Sequence, residues 1–101
     1  MDNKELTFSY LIQYTRAAEK FFVLHEDVRD EYENALKELI TGEHPEKVDV
    51  KSIKGKRGVY YRIRVGNYRV VYAIIADTIV VINTLLAGPR GDIYKKMSGL
   101  K

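Results

Sequence analysis

Residues Val59 to Tyr72 read VYYRIRVGNYRVVY, and the Gly66-Asn67 pair at their centre constrains this chain more than any other feature. Val59–Val65 and Tyr68–Ile74 are rich in β-branched and aromatic residues. Two such runs separated by Gly-Asn predict a β-hairpin, with Gly at the first position of a type II′ turn. The turn sets the register, placing Val65 opposite Tyr68, Arg64 opposite Arg69, Ile63 opposite Val70 and Arg62 opposite Val71. Side chains alternate between faces along a strand. One face then carries Val59, Tyr61, Ile63, Val65, Tyr68, Val70, Tyr72 and Ile74, a core face. The other carries Arg62, Arg64 and Arg69. Like charges placed opposite each other destabilise a sheet, so a face that sets Arg64 against Arg69 is built to meet an anion.

Charge along the chain agrees with that expectation. Residues 1–50 hold six Lys+Arg and twelve Asp+Glu, a net −6, whereas residues 51–101 hold eleven and two, a net +9. The basic half is the predicted sheet half, and such a field favours a polyanionic partner. With 101 residues, 46% hydrophobic and 31% charged, the chain has the size and composition of one soluble domain spanning residues 1–101. It has no cysteine, which excludes disulfides and thiolate metal sites. The segment MDNKELTFSY lacks the basic and apolar regions of a signal peptide, and no stretch is long enough to span a bilayer. The expected location is the cytoplasm.

Periodicity supplies the remaining elements. Thr7–Tyr14 is expected as a strand carrying Phe8, Tyr10 and Ile12. Thr15 is positioned to cap a short helix to about His25, with Ala18, Phe21, Phe22 and His25 along one side. Asp27 is the expected cap of a second helix, where Val28, Tyr32, Ala35, Leu36, Leu39 and Ile40 recur at helical spacing and Gly42 is the stop. The two helices form a hairpin whose polar faces hold most of the acidic charge. Glu43–Gly58 is expected as a polar connection. After the arginine hairpin, Asp77-Thr78 is a weak turn signal before an interior strand from Ile79 to about Leu86, whose register the pattern does not set. Ala87-Gly88-Pro89 interrupts it, and Gly91–Lys101 is expected as a basic tail with at most one helical turn. The predicted class is α+β, in the order β-α-α-β-β-β, with a helical hairpin on one face of a small, largely antiparallel sheet.

That order, with YRIRVGNYRVVY followed by GPRGDIY, resembles the RelE/ParE superfamily of bacterial and archaeal toxins from toxin–antitoxin modules. The likeness covers most of the chain and includes Ile53-Lys54-Gly55, the Gly-x-Tyr-Arg turn at Gly66–Arg69, and Arg90-x-x-x-Tyr94. The RelE branch implies ribosome-dependent cleavage of mRNA and inhibition of translation. The ParE branch implies inhibition of DNA gyrase. Both imply a cognate antitoxin. Carried across position by position, Arg62 and Arg64 match the two basic positions of the RelE hairpin, often lysines. Arg69 matches the arginine after the turn, and Arg90 and Tyr94 match the C-terminal pair of RNA-cleaving members. Pro89 stands where many relatives have histidine or lysine, which removes a possible acid or base.

Metal-independent RNA cleavage begins with attack of a ribose 2′-hydroxyl on the adjacent phosphate. It needs a proton acceptor, charge stabilisation and a proton donor. His25 and His44 both lie in the acidic half, as a helix-face and a loop residue. Arginine stays protonated, which makes it a poor base and a good phosphate clamp. The candidate catalytic set is therefore Arg62, Arg64, Arg69, Arg90 and Tyr94. Arg69 and Arg90 would stabilise the pentavalent phosphate, and Tyr94 would stack on a base or move a proton. Lys54, Lys56 and Arg57 would widen the groove for RNA. No metal or cofactor is expected. The implied partners are an antitoxin with an acidic segment, the ribosome and mRNA, with no membrane. A gyrase inhibitor, or a module that binds nucleic acid or antitoxin without catalysis, are the alternatives.

Overall fold

The computed structural model describes residues 9–76 and 79–98. In chain order they form β1 (Tyr10–Tyr14), α1 (Arg16–Val23), α2 (Glu26–Thr41), β2 (Val50–Gly55), β3 (Gly58–Val65), β4 (Tyr68–Ala76), β5 (Val80–Pro89) and α3 (Arg90–Met97). A short 3-10 turn at Pro45–Lys47 links α2 to β2. The five strands make one sheet in the order β1-β5-β4-β3-β2. β1 pairs with β5 in parallel, and the other pairs are antiparallel. The class is α+β, as expected.

The hairpin forms because its turn chemistry and its alternation agree. Gly66 has φ +59°, and no described non-glycine residue has a positive φ. Positive φ at the first turn position alone is the signature of the II′ turn. The pairing is Val65 with Tyr68, Arg64 with Arg69, Ile63 with Val70 and Arg62 with Val71. Tyr61 and Tyr72 also face each other, with ring centroids 5.4 Å apart.

The other face of that hairpin meets the two helices. Ala18, Phe22, Val28, Tyr32 and Leu36 pack against Ile63, Val65, Val70, Tyr72, Ile82 and Ala87 as the main core. Thr15 ties helix to sheet twice. Its hydroxyl accepts from the Ala18 N–H at 3.2 Å, capping α1, and donates to the Leu85 carbonyl at 2.6 Å. Leu85 is the extra residue of a β-bulge, since Val71 pairs with Leu86 whereas Tyr72 pairs with Thr84. The bulge shifts the phase of β5. Ile82 and Thr84 face the helices before it, and Leu86 faces away after it. At the centre of the core the Tyr32 and Thr84 hydroxyls are 2.7 Å apart, so both buried polar groups are satisfied.

Several expected boundaries move. Thr7, Phe8 and the Asp77-Thr78 turn lie outside the described residues, as do residues 99–101. His25, not Asp27, holds the N-cap position of α2, and its side chain makes no capping bond. Asp27 instead lies in the first turn, where a carboxylate meets the positive end of the helix dipole. Gly42 ends α2 with φ −84°, so its role is spatial: a Cβ there would lie 2.6 Å from the Glu38 carbonyl oxygen. Val59 and Ile74 are about half exposed, because the helices do not cover the hairpin's far end.

Two elements replace expected loops. The connection Glu43–Gly58 contains β2, which pairs with β3 from Val50–Ile63 to Gly55–Gly58. It is an edge strand, so half of its side chains are polar and its apolar signal is thin. The expected basic tail is an eight-residue helix, α3, with Ile93 and Met97 fully buried. They form a second, smaller core with Val71, flanked by Ile53, Tyr60, Leu85 and Leu86. The helices thus sandwich the sheet. Ala87-Gly88-Pro89 continues β5 to its end and does not interrupt it, with Gly88 opposite Arg69.

The tyrosine-rich core predicts an alkaline limit to stability. Burial raises the Tyr32 and Tyr14 phenols above the ordinary value, with Glu33 adding to the rise at Tyr14, and pushes Tyr72 up to about 12. In the unfolded chain these phenols ionise near pH ~10. The folded state therefore holds protons that the unfolded state releases, and each such group favours unfolding by up to ~1.4 kcal/mol per pH unit in that window. The stabilisation is complete below about pH 10 and is lost as pH rises through about 12. The urea midpoint should be level up to that window and then fall. Tyr72→Phe should make the fall shallower, and an equally steep fall in that variant would reject the assignment.

Candidate active site

Four elements converge around one cleft of about 230 Å³, lined by Asp49, Lys51, Arg62, Arg64, Arg69, Arg90 and Tyr94. The strands supply most of it by alternation. Arg62 and Arg64 are two apart on β3, and Arg69 faces Arg64 from β4. Lys51 pairs with Arg62 from the edge strand, and Asp49 precedes that strand. α3 supplies the rest. Ile93 and Met97 hold the helix against the sheet, and Arg90 and Tyr94, one turn apart on the flank of that same helix face, reach the cleft. The Arg90 N–H also donates to the Asn67 carbonyl at 3.3 Å, fastening the start of α3 to the hairpin turn.

The arginines are not equivalent. Arg62 and Arg69 are buried, at 6% and 7% exposure, whereas Arg64 is exposed. Asp49 lies between Arg62 and Arg64: its carboxylate is 3.7 Å from Arg62 Nη2 and 3.8 Å from Arg64 Nη1. The Arg64 Nε also donates to the Gly66 carbonyl at 3.4 Å. Arg69 Nη1 donates to the carbonyls of Gly66 (3.3 Å) and Tyr68 (3.0 Å). Its Nε is buried with no hydrogen-bond partner, and no described carboxylate lies in ion-pair range. An unsatisfied buried donor costs about 1–3 kcal/mol. Burial, then the charges of Arg62, Arg64 and Arg90, lower the Arg69 pKa below its ordinary value, with Tyr94 opposing weakly. It still stays protonated near neutrality. The fold therefore concentrates positive charge at Arg69 and leaves one of its buried donors without a partner.

All five residues expected in catalysis, Arg62, Arg64, Arg69, Arg90 and Tyr94, line the cleft. Lys54, Lys56 and Arg57 do not. Lys54 lies one residue out of phase with Ile53 on β2, on the opposite side of the strand from Lys51 and Ile53. Lys56-Arg57 forms the β2–β3 turn, and Arg57 borders a separate hollow with Tyr60, Ala73 and Leu85. The sequence reading omitted Asp49 and Lys51, whose signal was the alternation of Asp49, Lys51 and Ile53 within a segment taken for a loop. His25 stacks on Phe21 at 4.2 Å beside Tyr68, and His44 lies 3.2 Å from Glu46. Neither borders the cleft. Among the described residues no group of three or more His, Asp or Glu is arranged to hold a metal ion. No described helix is long and apolar enough to cross a membrane.

Comparison with known proteins agrees with this fold. Residues 10–88 match the family described as ParE toxin of type II toxin-antitoxin system, parDE. Toxin RelE3 of Methanocaldococcus jannaschii is 56% identical over 48 residues, a stretch covering 48% of this chain and 50% of that relative. The chain thus spans about half the length of this relative. The crystal structure of a RelB-RelE antitoxin-toxin complex from Methanococcus jannaschii superposes with a TM-score of 0.55 at 25% identity, over 83% of this chain and 96% of that one. The chain belongs to the ParE toxin family of type II toxin–antitoxin systems, within the RelE/ParE superfamily, and is RelE-like in sequence and fold.

Proposed function

We propose that this toxin is a metal-independent endoribonuclease that cuts mRNA on the ribosome. The observation that carries this reading is the convergence of Arg69 from β4 with Arg90 and Tyr94 from α3 on one arginine-lined cleft. Attack of a 2′-hydroxyl on the adjacent phosphate, with departure of the 5′-oxygen, places extra negative charge on the phosphoryl oxygens in the transition state, and fixed guanidinium donors stabilise that charge. Arg69 presents a free, buried Nε, and Arg90 stands at the N-terminus of α3, whose dipole adds positive potential. Arg62 and Arg64 hold the flanking backbone. Tyr94 is half exposed, which suits stacking on a base and access to a proton alike.

None of these four arginines is a serviceable base. Such an enzyme leans on geometry, and alignment of the 2′-oxygen with the phosphate is worth several kcal/mol when another body enforces it. The ribosome supplies that alignment by holding mRNA in the decoding site. A cognate antitoxin is the second partner, an acidic segment of which would neutralise the arginine face. The similar RelE crystallises with RelB, which supports an antitoxin here.

The test compares ribosome-bound mRNA with the same RNA free in solution, alongside a gyrase supercoiling assay. Cuts should fall at decoding-site codons and be strongly stimulated by ribosomes. Equal cutting of naked RNA would reject the ribosome-dependent mechanism. The match to the ParE family favours gyrase as the second reading, and blocked supercoiling without RNA cleavage would establish it. Tyr94→Phe separates the two tyrosine roles. Near-normal rate means stacking, and a large loss of rate at unchanged binding means a role for the hydroxyl.

A further inference from the structure

We infer that Asp49 is an internal counter-ion shared by Arg62 and Arg64, so that of the four cleft arginines only Arg69 and Arg90 stand unpaired for the first phosphate, and that a second phosphate subsite opens when Asp49 is displaced. This rests on reading the cleft as a phosphate site, and it deepens that reading by giving the site an order of filling.

The geometry divides the cleft in two. On the β2–β3 side, the Asp49 carboxylate spans both guanidinium groups at 3.7 and 3.8 Å. These distances are ion pairs and exceed good hydrogen bonds. An incoming phosphate oxygen, able to approach within about 2.9 Å, would therefore outcompete the carboxylate on contact geometry. Asp49 itself is about half exposed, so its side chain can swing into water without disturbing the core. Its backbone stays anchored, because its carbonyl accepts from the Arg64 N–H at 2.9 Å. On the α3 side, Arg69 and Arg90 have no described carboxylate in ion-pair range, and Arg69 Nε is buried and unpartnered.

Two consequences follow. A mononucleotide-sized anion should settle at Arg69, in the half of the cleft whose arginines have no described carboxylate partner. A second phosphate must meet Arg62 and Arg64 against Asp49, a like charge that weakens it by about fivefold if the pair interacts through water-like dielectric, and by more if not. Asp49 thus restrains non-specific capture of polyanions, and a strand held rigidly enough to present two adjacent phosphates overcomes the restraint.

The test uses Asp49→Asn, which keeps the side chain's size and leaves the backbone contact intact. Binding of inorganic pyrophosphate is followed by calorimetry. Binding of a fluorescent, uncleavable 2′-O-methyl oligonucleotide is followed by anisotropy across a salt series. D49N should bind both probes about fivefold tighter or better. Its log affinity for the oligonucleotide should fall more steeply with log salt, by about 0.7 for the extra phosphate contact. Arg69→Ala should abolish pyrophosphate binding in the wild-type background, and D49N should restore part of it through the unmasked Arg62 and Arg64. Unchanged affinity in D49N overturns the inference. So does weaker binding, which would mean that Asp49 only holds the arginines in place, and so does failure of pyrophosphate to bind either protein. Loss of RNA cleavage in D49N at unchanged pyrophosphate affinity would make Asp49 a proton acceptor and also overturn it. A gain for pyrophosphate without any oligonucleotide binding would sustain the counter-ion role and remove RNA as the substrate.

Discussion

On the proposed mechanism, Arg69→Ala should lower the rate of ribosome-dependent mRNA cleavage by roughly a hundredfold or more, the usual loss when one transition-state donor is removed. The same substitution leaves folding stability unchanged or raises it. The two effects share one cause. Arg69 is buried among Arg62, Arg64 and Arg90, lacks a described carboxylate partner and keeps a buried Nε unsatisfied. Such a side chain costs the folded state free energy through desolvation and like-charge repulsion. An anion bound at the proposed site would compensate that cost beyond what the hydrogen bonds to the Gly66 and Tyr68 carbonyls return. Deleting it removes the strain together with the activity, the pattern of a site held at the expense of stability. Single-turnover cleavage on programmed ribosomes and thermal melting check the pair of expectations. Destabilisation by several kcal/mol with cleavage lost in proportion would make Arg69 a structural residue.

The hairpin was legible in the sequence because two independent rules agree on it. Gly66-Asn67 selects a turn, and alternation assigns each side chain to a face. A one-residue slip would have moved Ile63, Val70 and Tyr72 out of the core, so the pattern tolerates one register. The helical hairpin was legible for the same kind of reason, with Thr15 at its start and Val28, Tyr32 and Leu36 in phase. β2 was not. Edge strands carry lysine and short apolar runs as protection against unwanted pairing, and VKSIKG has that character. Asp49 went with it, since only the β2–β3 register brings it beside Arg62 and Arg64. α3 was hidden by its length. Eight residues with a glycine near the start are a poor helix in isolation, and its two buried side chains have meaning only against Val71. The bulge at Leu85 likewise follows from a tertiary demand, that β5 face the helices at Thr84 and α3 at Leu86. In each case the missing information was a partner far away in sequence.

The site inherits that division. Arg62, Arg64 and Arg69 are placed by the hairpin alone, through local rules. Arg90 and Tyr94 are placed by α3, which holds through a small core on the opposite face of the sheet from the main one. Half of the proposed machinery therefore depends on a weakly anchored element, and a single substitution should separate the halves. Ile93→Asp removes a fully buried side chain worth about 3 kcal/mol and sets a carboxylate among Val71, Met97 and Leu86, where desolvation costs several kcal/mol more. An eight-residue helix has no comparable stability of its own. α3 should detach, its amides should lose hydrogen-exchange protection, and cleavage should fall by at least the roughly hundredfold expected for losing Arg90. The main core shares no buried residue with the α3 core, so amides of α2 and β4 should keep their protection. Ile93→Val, which removes one methylene and costs about 1 kcal/mol, should keep α3 docked and cleavage near normal. Normal cleavage with α3 detached would take Arg90 and Tyr94 out of the chemistry and leave the hairpin arginines to carry it.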